Sequence, residues 1–148
     1  MSTAFESLVT AFVSKLSANP AVCTYVEADA DAEPLPAGRT ASILVVLGNS
    51  QPQQLGGLQG NPVEWITQVT VKCFASANAA SARPAAYALA GAAYARLAAD
   101  PSLGLAGSSG TFIGEPDIEP ETDQAATRLA CANLVYSVRH RTTSLTLD

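Results

Sequence analysis

The sequence is poor in charge, poor in basic residues, and has a single histidine. Charged side chains make up 14% of its 148 residues, against roughly 25% in an average soluble domain. Lys and Arg total 8 against 13 Asp and Glu, which gives a net charge of -5. Proteins that grip duplex DNA need clustered basic residues to displace counterions, so this balance argues against tight nucleic-acid binding. A surface with so little charge favours association with other protein surfaces.

Paired cysteines and long hydrophobic runs are also missing. Cys23, Cys73 and Cys131 are odd in number and far apart, which predicts buried reduced thiols and no disulfide framework. The longest uncharged Ala-rich stretch, residues 84–95, is too short to span a bilayer. The N-terminus lacks the basic and apolar regions of a secretory signal. We therefore expect no membrane contact, and a protein that is made in the cytoplasm.

Length and hydrophobic periodicity predict a single α+β domain over residues 1–148. Residues 5–16 place their apolar side chains on one stripe of a helix. A second helix is expected over 84–99, where Gly91 suggests close packing against a sheet and Tyr87, Ala90, Tyr94 and Leu97 stand at helical spacing. Strands are predicted at 22–26, 40–47, 63–75, 111–118 and 127–142. The expected architecture is a mostly antiparallel sheet of four to five strands, packed against two main helices.

Few residues offer catalytic chemistry. His140 stands between Arg139 and Arg141 near a strand end, where positive neighbours would disfavour its protonated form. The motif at 107–110 is one residue too short for a nucleophile elbow, and the glycines at 56–60 lack the spacing and the lysine of a phosphate loop. We predict no enzyme activity, no catalytic residue, no cofactor and no metal ligand.

Two acidic runs, at 27–33 and 115–123, hold most of the 13 carboxylates and place them at every second position. In an extended chain such residues face one way, so each run would display negative charge on one side. A calcium loop is not expected, because Pro34 stands where an EF-hand needs glycine. Solvated loops and a functional negative surface remain the alternatives. The candidate surface comprises Glu115, Asp117, Glu119, Glu121 and Asp123.

Residues 48–62, between the two central strands, contain no charged side chain. The segment is predicted to be a flexible arm or loop: either a disordered loop or a hairpin arm that becomes ordered on a partner. Its candidate contact residues are Gln53, Gln54, Leu55, Leu58 and Gln59.

Four segments carry a resemblance to a known family: AFESLVTAFVSKLSA, VEWITQVTVKCFA, ALAGAAYARLAADPSL and DQAATRLACANLVYSVRHRTT. Their order resembles that of the tail terminator or tail-completion proteins of long-tailed bacteriophages, which are small α+β subunits that form a ring closing the tail tube. The resemblance implies a structural virion protein that forms a homo-oligomeric ring, a hexamer by likeness. Its implied partners are the tail tube protein and a head-tail connector or neck protein, with no cofactor.

The resemblance also gives roles to the two unusual segments. DNA would pass through the ring without specific binding, and negative charge in the lumen would let phosphates slide. We therefore expect the 115–123 run to face the lumen, and the 48–62 arm to contact a neighbouring subunit or the tail tube.

A ligand-binding or isomerase-like domain is the alternative function. In it, the sheet and a helix would enclose an apolar pocket with Tyr87, Tyr94 or Tyr136 as a polar handle.

Overall fold

A computed structural model describes residues 3–18, 20–28, 39–53, 63–76, 82–105, 111–121 and 129–142. These residues form two helices and a six-stranded, mostly antiparallel sheet, which confirms the α+β class and adds a strand to the expected count. The helices are α1 (Ala4–Ser17) and α2 (Arg83–Ala98). The strands are β1 (Val26–Glu27), β2 (Ala41–Gln53), β3 (Val63–Ser76), β4 (Phe112–Ile113), β5 (Asp117–Glu121) and β6 (Leu129–Thr142).

The sheet is built around three long antiparallel strands, in the order β1-β2-β3-β6-β4. β4 and β5 both pair with β6, but each pairs with a different stretch of it. β1 is parallel to β2. Both helices pack on the same side of the sheet, which we call the helix-facing side. The alternation of residues in the sequence of β3 correctly predicts which side chains share one side of the sheet. On the helix-facing side, four of them are fully buried: Thr67, Val69, Val71 and Cys73.

Helix α1 begins with a capping box. The Thr3 hydroxyl accepts a hydrogen bond from the Glu6 amide, and the Glu6 carboxylate accepts one from the Thr3 amide. Its apolar stripe, as predicted, buries Leu8, Phe12 and Leu16 against the sheet. Arg96 of α2 donates to the carbonyls of Lys15, Ala18 and Pro20, and so satisfies free acceptors where α1 ends.

Helix α2 buries a stripe of small residues, which lets its backbone lie close to β3 and β6. The buried side chains are Ala86, Ala90, Ala93 and Leu97. The expectation for Gly91 was wrong: this glycine is exposed, and a Cβ there would meet nothing within 4 Å. Tyr87 and Tyr94 also lie largely outside the core, with 43% and 38% of their surfaces exposed.

Three strand boundaries differ from the prediction. The strand expected at 22–26 is reduced to the short β1, and the strand expected at 111–118 is divided into β4 and β5 around Gly114 and Pro116. β2 continues past Leu47 to Gln53, so the first part of the predicted arm is strand. Pro116 cannot donate to a ladder, which accounts for the break between β4 and β5.

A β-bulge explains how β2 continues. Leu47 pairs with Val69 and Ser50 pairs with Thr67, so β2 has one more residue than β3 in this interval. The extra residue reverses which side of the sheet each later side chain faces. A Cβ at Gly48 would lie 3.1 Å from the Gln68 carbonyl oxygen, so glycine permits the close approach of the two strands.

The three cysteines are buried and unpaired with one another, as predicted. Burial raises the pKa of the Cys73 thiol to about 12, and neighbouring Cys23 adds to the effect. This thiol is therefore a packing group. Within the described ranges, no helix is long and apolar enough to cross a membrane.

Candidate partner-binding site

The second acidic run is partly held by β5. Asp117 pairs with Val135, and Glu119 pairs with Asn133, which places both acids on the side of the sheet opposite the helices. Both side chains are exposed. The backbone of Glu121, paired with Cys131, continues the same alternation. Glu115 lies before the strand, on the other side of Pro116, and Asp123 falls outside the described residues.

Basic residues share this opposite side of the sheet. Lys72 of β3 and Glu119 of β5 both pair with Asn133 of β6, one from each side. Arg141 pairs with Glu64. Arg139 forms a salt bridge with Glu64 at 3.0 Å. The acids of β5 are therefore grouped at one edge of a mixed surface rather than spread across it.

The predicted contact arm is described only at its beginning. Gln53 lies at the exposed end of β2 and pairs with Glu64, and Gln51 and Pro52 before it are also exposed. The other candidate contact residues lie outside the part of the chain that the structure describes: Gln54, Leu55, Leu58 and Gln59.

Of the four acids in the first run, only Glu27 lies among the described residues. Its carboxylate accepts a hydrogen bond from Arg39 at 2.9 Å, and Arg39 also lies over the ring of Tyr25 at 3.8 Å. Among the residues that can be described, no group of three or more His, Cys, Asp or Glu side chains could hold a metal ion.

An apolar cleft opens between the C-terminal half of α2 and β4. It encloses about 220 Å³ and is lined by Tyr94, Ala98, Pro101, Phe112, Ile113, Gly114, Glu115 and Tyr136. Phe112 is 57% exposed and Tyr94 is 38% exposed, so both stand at its surface, whereas Tyr136 is 1% exposed. Of the tyrosines suggested as polar handles, the structure brings Tyr94 and Tyr136 together and leaves Tyr87 elsewhere on α2.

The Tyr136 hydroxyl is buried and has no hydrogen-bond partner among the described residues. Burial raises its pKa, and neighbouring Tyr94 and Cys73 add to the shift, so the phenol stays protonated and remains a donor. A buried polar group without a partner is rare in folded proteins. The lining of the cleft is therefore mostly apolar, with Glu115 as its one charged residue, and the Tyr136 hydroxyl itself is closed to solvent.

A second polar feature, around His140, is internal. The His140 Nε2 atom lies 2.7 Å from the Thr67 hydroxyl, which lies 2.9 Å from the Ser50 hydroxyl. The Phe5 ring packs edge-on against the imidazole, with the ring centroids 5.0 Å apart. His140 is 2% exposed. Desolvation lowers its pKa, so the imidazole is neutral, as the sequence suggested. The cause differs from the one expected, because Arg139 and Arg141 alternate onto the other side of β6.

Sequence reasoning missed the burial of His140, although a signal was present. The alternation of Ala132, Leu134, Tyr136 and Val138 along β6 continues to position 140, on the helix-facing side. The cleft carried no such signal, because it forms where the end of α2 meets a two-residue strand.

Comparison with known proteins gives a fold likeness. No protein-family model matches the chain, and no curated protein matches it. Among solved structures, the chain is similar to a chain in the virion of a native gene transfer agent particle, with a TM-score of 0.60 and 17% identity. The match covers 95% of this chain and 100% of that one. At this identity the likeness shows a shared fold.

Proposed function

We propose that this chain is a structural virion protein of a phage-like particle. In this proposal it forms a homo-oligomeric ring, a hexamer, that ends the tail tube and joins it to the head or neck. The observation that carries the proposal is the likeness, over nearly the whole length of both chains, to a component of a gene transfer agent virion. A function based on assembly also fits a chain that is 14% charged and 48% hydrophobic.

The partners in this proposal are other copies of the chain, the tail tube protein and a head-tail connector or neck protein. The protein is made in the host cytoplasm and ends in the virion. DNA passes through the ring without specific binding, and the acids of β5 contribute to the lumen surface. The proposal assigns the chain no reaction and no cofactor.

Electron microscopy of the purified protein, alone and mixed with tail tubes, tests the proposed ring. We expect rings in the protein alone or caps at one end of the tubes. A protein that stays monomeric at high concentration and leaves the tubes unchanged would refute the ring function. Addition of a globular protein of similar size and charge to the same tubes is the control.

The cleft that contains Tyr94 and Tyr136, two of the suggested polar handles, favours the ligand-binding alternative. However, pockets for small-molecule ligands usually enclose about 300–1,000 Å³, and this cleft encloses about 220 Å³. It suits one or two side chains better than a whole substrate. The buried base, His140, belongs to a separate network with Thr67 and Phe5, and it does not line the cleft.

A further inference from the structure

Among the residues that the structure describes, the sheet ends in two open edges. At one edge, β1 pairs with β2 only at Ile43 and Leu44, so no described strand pairs with that side of β2 beyond Leu44. At the other edge, β5 pairs with β6 alone. An open strand edge presents unpaired N–H and C=O groups, which can pair with a strand of another chain.

The open edge of β2 becomes accessible at Leu47. The Ile43 N–H donates to the Tyr25 carbonyl at 2.8 Å, away from β3. Backbone groups two residues apart along a strand point the same way, so those of Leu47 also point away from β3. Leu47 is 40% exposed, whereas Val45 is 1% exposed. Gly48, which follows Leu47, is exposed as well.

A groove runs along this edge, between α1 and β2. It encloses about 380 Å³, and its walls include Val9 and Thr10 of α1 and Leu47 of β2. Leu47 pairs with the buried Val69, so its side chain lies on the helix-facing side of the sheet. Glu6, the one charged residue of the lining, already accepts a hydrogen bond in the capping box of α1. The groove therefore suits an apolar side chain from a strand that lies along β2.

β5 carries such a side chain. Ile118 is 60% exposed, more than any other large apolar residue in the described ranges. It pairs with Leu134 of the core, which places it on the helix-facing side. Pro120 has no N–H, and a strand tolerates proline where its nitrogen faces an open edge. The backbone groups of Ile118, two residues earlier, then face the same edge and are free to pair with another strand.

The two edges also match in direction. β2, β3, β6 and β5 are each antiparallel to the next, so β5 runs opposite to β2. If a second copy continues the sheet with its helices on the same side, its β5 meets β2 of the first copy as an antiparallel neighbour. Residues 44–53 contain no charged side chain, so the acids of β5 meet no like charge on the strand that they join.

We infer that β5 of one copy pairs with the open edge of β2 in the next copy, with Ile118 opposite Leu47 and its side chain in the groove between α1 and β2. The inference rests on the proposed ring function and names the contact that joins its subunits. The two paired edges lie at opposite ends of one sheet, so the contact is head-to-tail and repeats until the ring closes. Asp117 and Glu119 stay on the opposite side of the sheet, away from the groove.

Disulfide crosslinking in the full-length chain tests the Ile118–Leu47 pair. The Cα atoms of such a pair lie about 5.5 Å apart, which suits a disulfide. Within one copy β3 and β6 separate the two residues by about 14 Å, so a disulfide between them must join two copies. An oxidised mixture of Ile118→Cys and Leu47→Cys chains should give dimers that contain one chain of each. Leu47→Cys mixed with Tyr87→Cys, which is exposed on α2, is the control and should give none.

A charge pair tests the same contact without a covalent bond. Ile118→Asp and Leu47→Lys should each weaken association about tenfold or more, because each puts a charge into an apolar contact. The double variant should associate about fivefold more tightly than either single variant, since opposite charges across an antiparallel pair attract. Its control is Ile118→Asp with Ser14→Lys, at an exposed position of α1 outside the groove. Analytical ultracentrifugation measures association, and thermal unfolding at low concentration checks that each variant folds.

Electron microscopy of the same samples separates this inference from the ring function. Wild-type rings without mixed crosslinks, and with normal assembly of Ile118→Asp, would overturn the inference and leave the ring standing. A Leu47→Cys chain that crosslinks to itself would show symmetric pairing of two β2 edges and would also overturn it. Mixed crosslinks and charge rescue in a protein that forms open chains would support the pairing and refute the closed ring.

Discussion

Tyr136 and His140 lie on the same side of β6, and each leaves one polar atom without a described partner, but their surroundings differ. Tyr136 lines the cleft between α2 and β4, with its hydroxyl buried. His140 is enclosed by the Phe5 ring and bonded to Thr67, which in turn contacts Ser50. With the proton on Nε2, the imidazole donates to Thr67 and leaves only a lone pair at Nδ1. The other tautomer would bury an unpaired N–H group, so the first is favoured.

The buried neutral imidazole predicts that stability falls in mild acid. Its folded-state pKa is lowered by desolvation, so below about pH 6.5 the unfolded chain binds a proton that the folded chain does not. The free energy of unfolding should therefore decrease as the pH falls from 7.5 to 5, by at most about 1.4 kcal/mol per pH unit. Urea unfolding at several pH values measures this slope.

The variant His140→Asn is the control for that slope, because it keeps a polar side chain beside Thr67 but has no titrating group. Its unfolding free energy should be nearly flat between pH 7.5 and 5. A slope equal to that of the wild type would show that another group is responsible. Asp100 cannot produce the effect in this range, because its hydrogen bonds to Lys15 and Ser102 lower its pKa.

At the scale of elements, periodicity predicted the long pieces well and the short ones badly. The apolar stripe of α1 and the alternation of β3 and β6 depend on many residues that agree with one another. β1 and β4 contain two residues each. Such short strands form because their backbones pair with the edge of a longer strand, β2 or β6. The bulge after Leu47 also depends on tertiary pairing, so the sequence pattern ended β2 there. The cleft was unpredictable for the same reason, since it joins α2 to one of these short strands.

Helix α2 offers a direct test of how tightly it packs. Gly91 is exposed in the middle of the helix, and a Cβ there would meet no atom within 4 Å. Because glycine costs about 0.5–1 kcal/mol relative to alanine in a helix interior, Gly91→Ala should stabilise the protein by about that amount. Urea unfolding of the variant checks this. The matched control is Ala92→Gly, at the next exposed position, which should lose a similar amount. If Gly91→Ala destabilised the protein instead, the result would support close packing at this position, as the sequence suggested.

For the whole molecule, the two sides of the sheet have different roles in the proposed ring. The helix-facing side holds the main hydrophobic core. The opposite side displays Asp117 and Glu119, beside a small buried cluster of Leu44, Phe74 and Cys131. In the proposed ring, the exposed acids of this side would line the channel. Lysine and arginine side chains in a channel wall would bind the DNA phosphates and so slow the passage of DNA. In the proposed ring, the acids of β5 would repel the phosphates and so weaken such binding.

The Glu119→Lys variant tests the lumen role in assembled particles. Its side chain is exposed and lies on the side of the sheet opposite to Ile118, so the chain should fold and assemble like the wild type. DNA ejection should nevertheless slow and infectivity should fall, and the slowing should be stronger at low salt, where phosphate contacts are tighter. The control, Ala88→Lys with Ala92→Lys on the exposed surface of α2, shifts the charge of each subunit by the same amount. If both variants lower infectivity equally, net charge alone is the cause; an unchanged titre for Glu119→Lys would place β5 outside the channel.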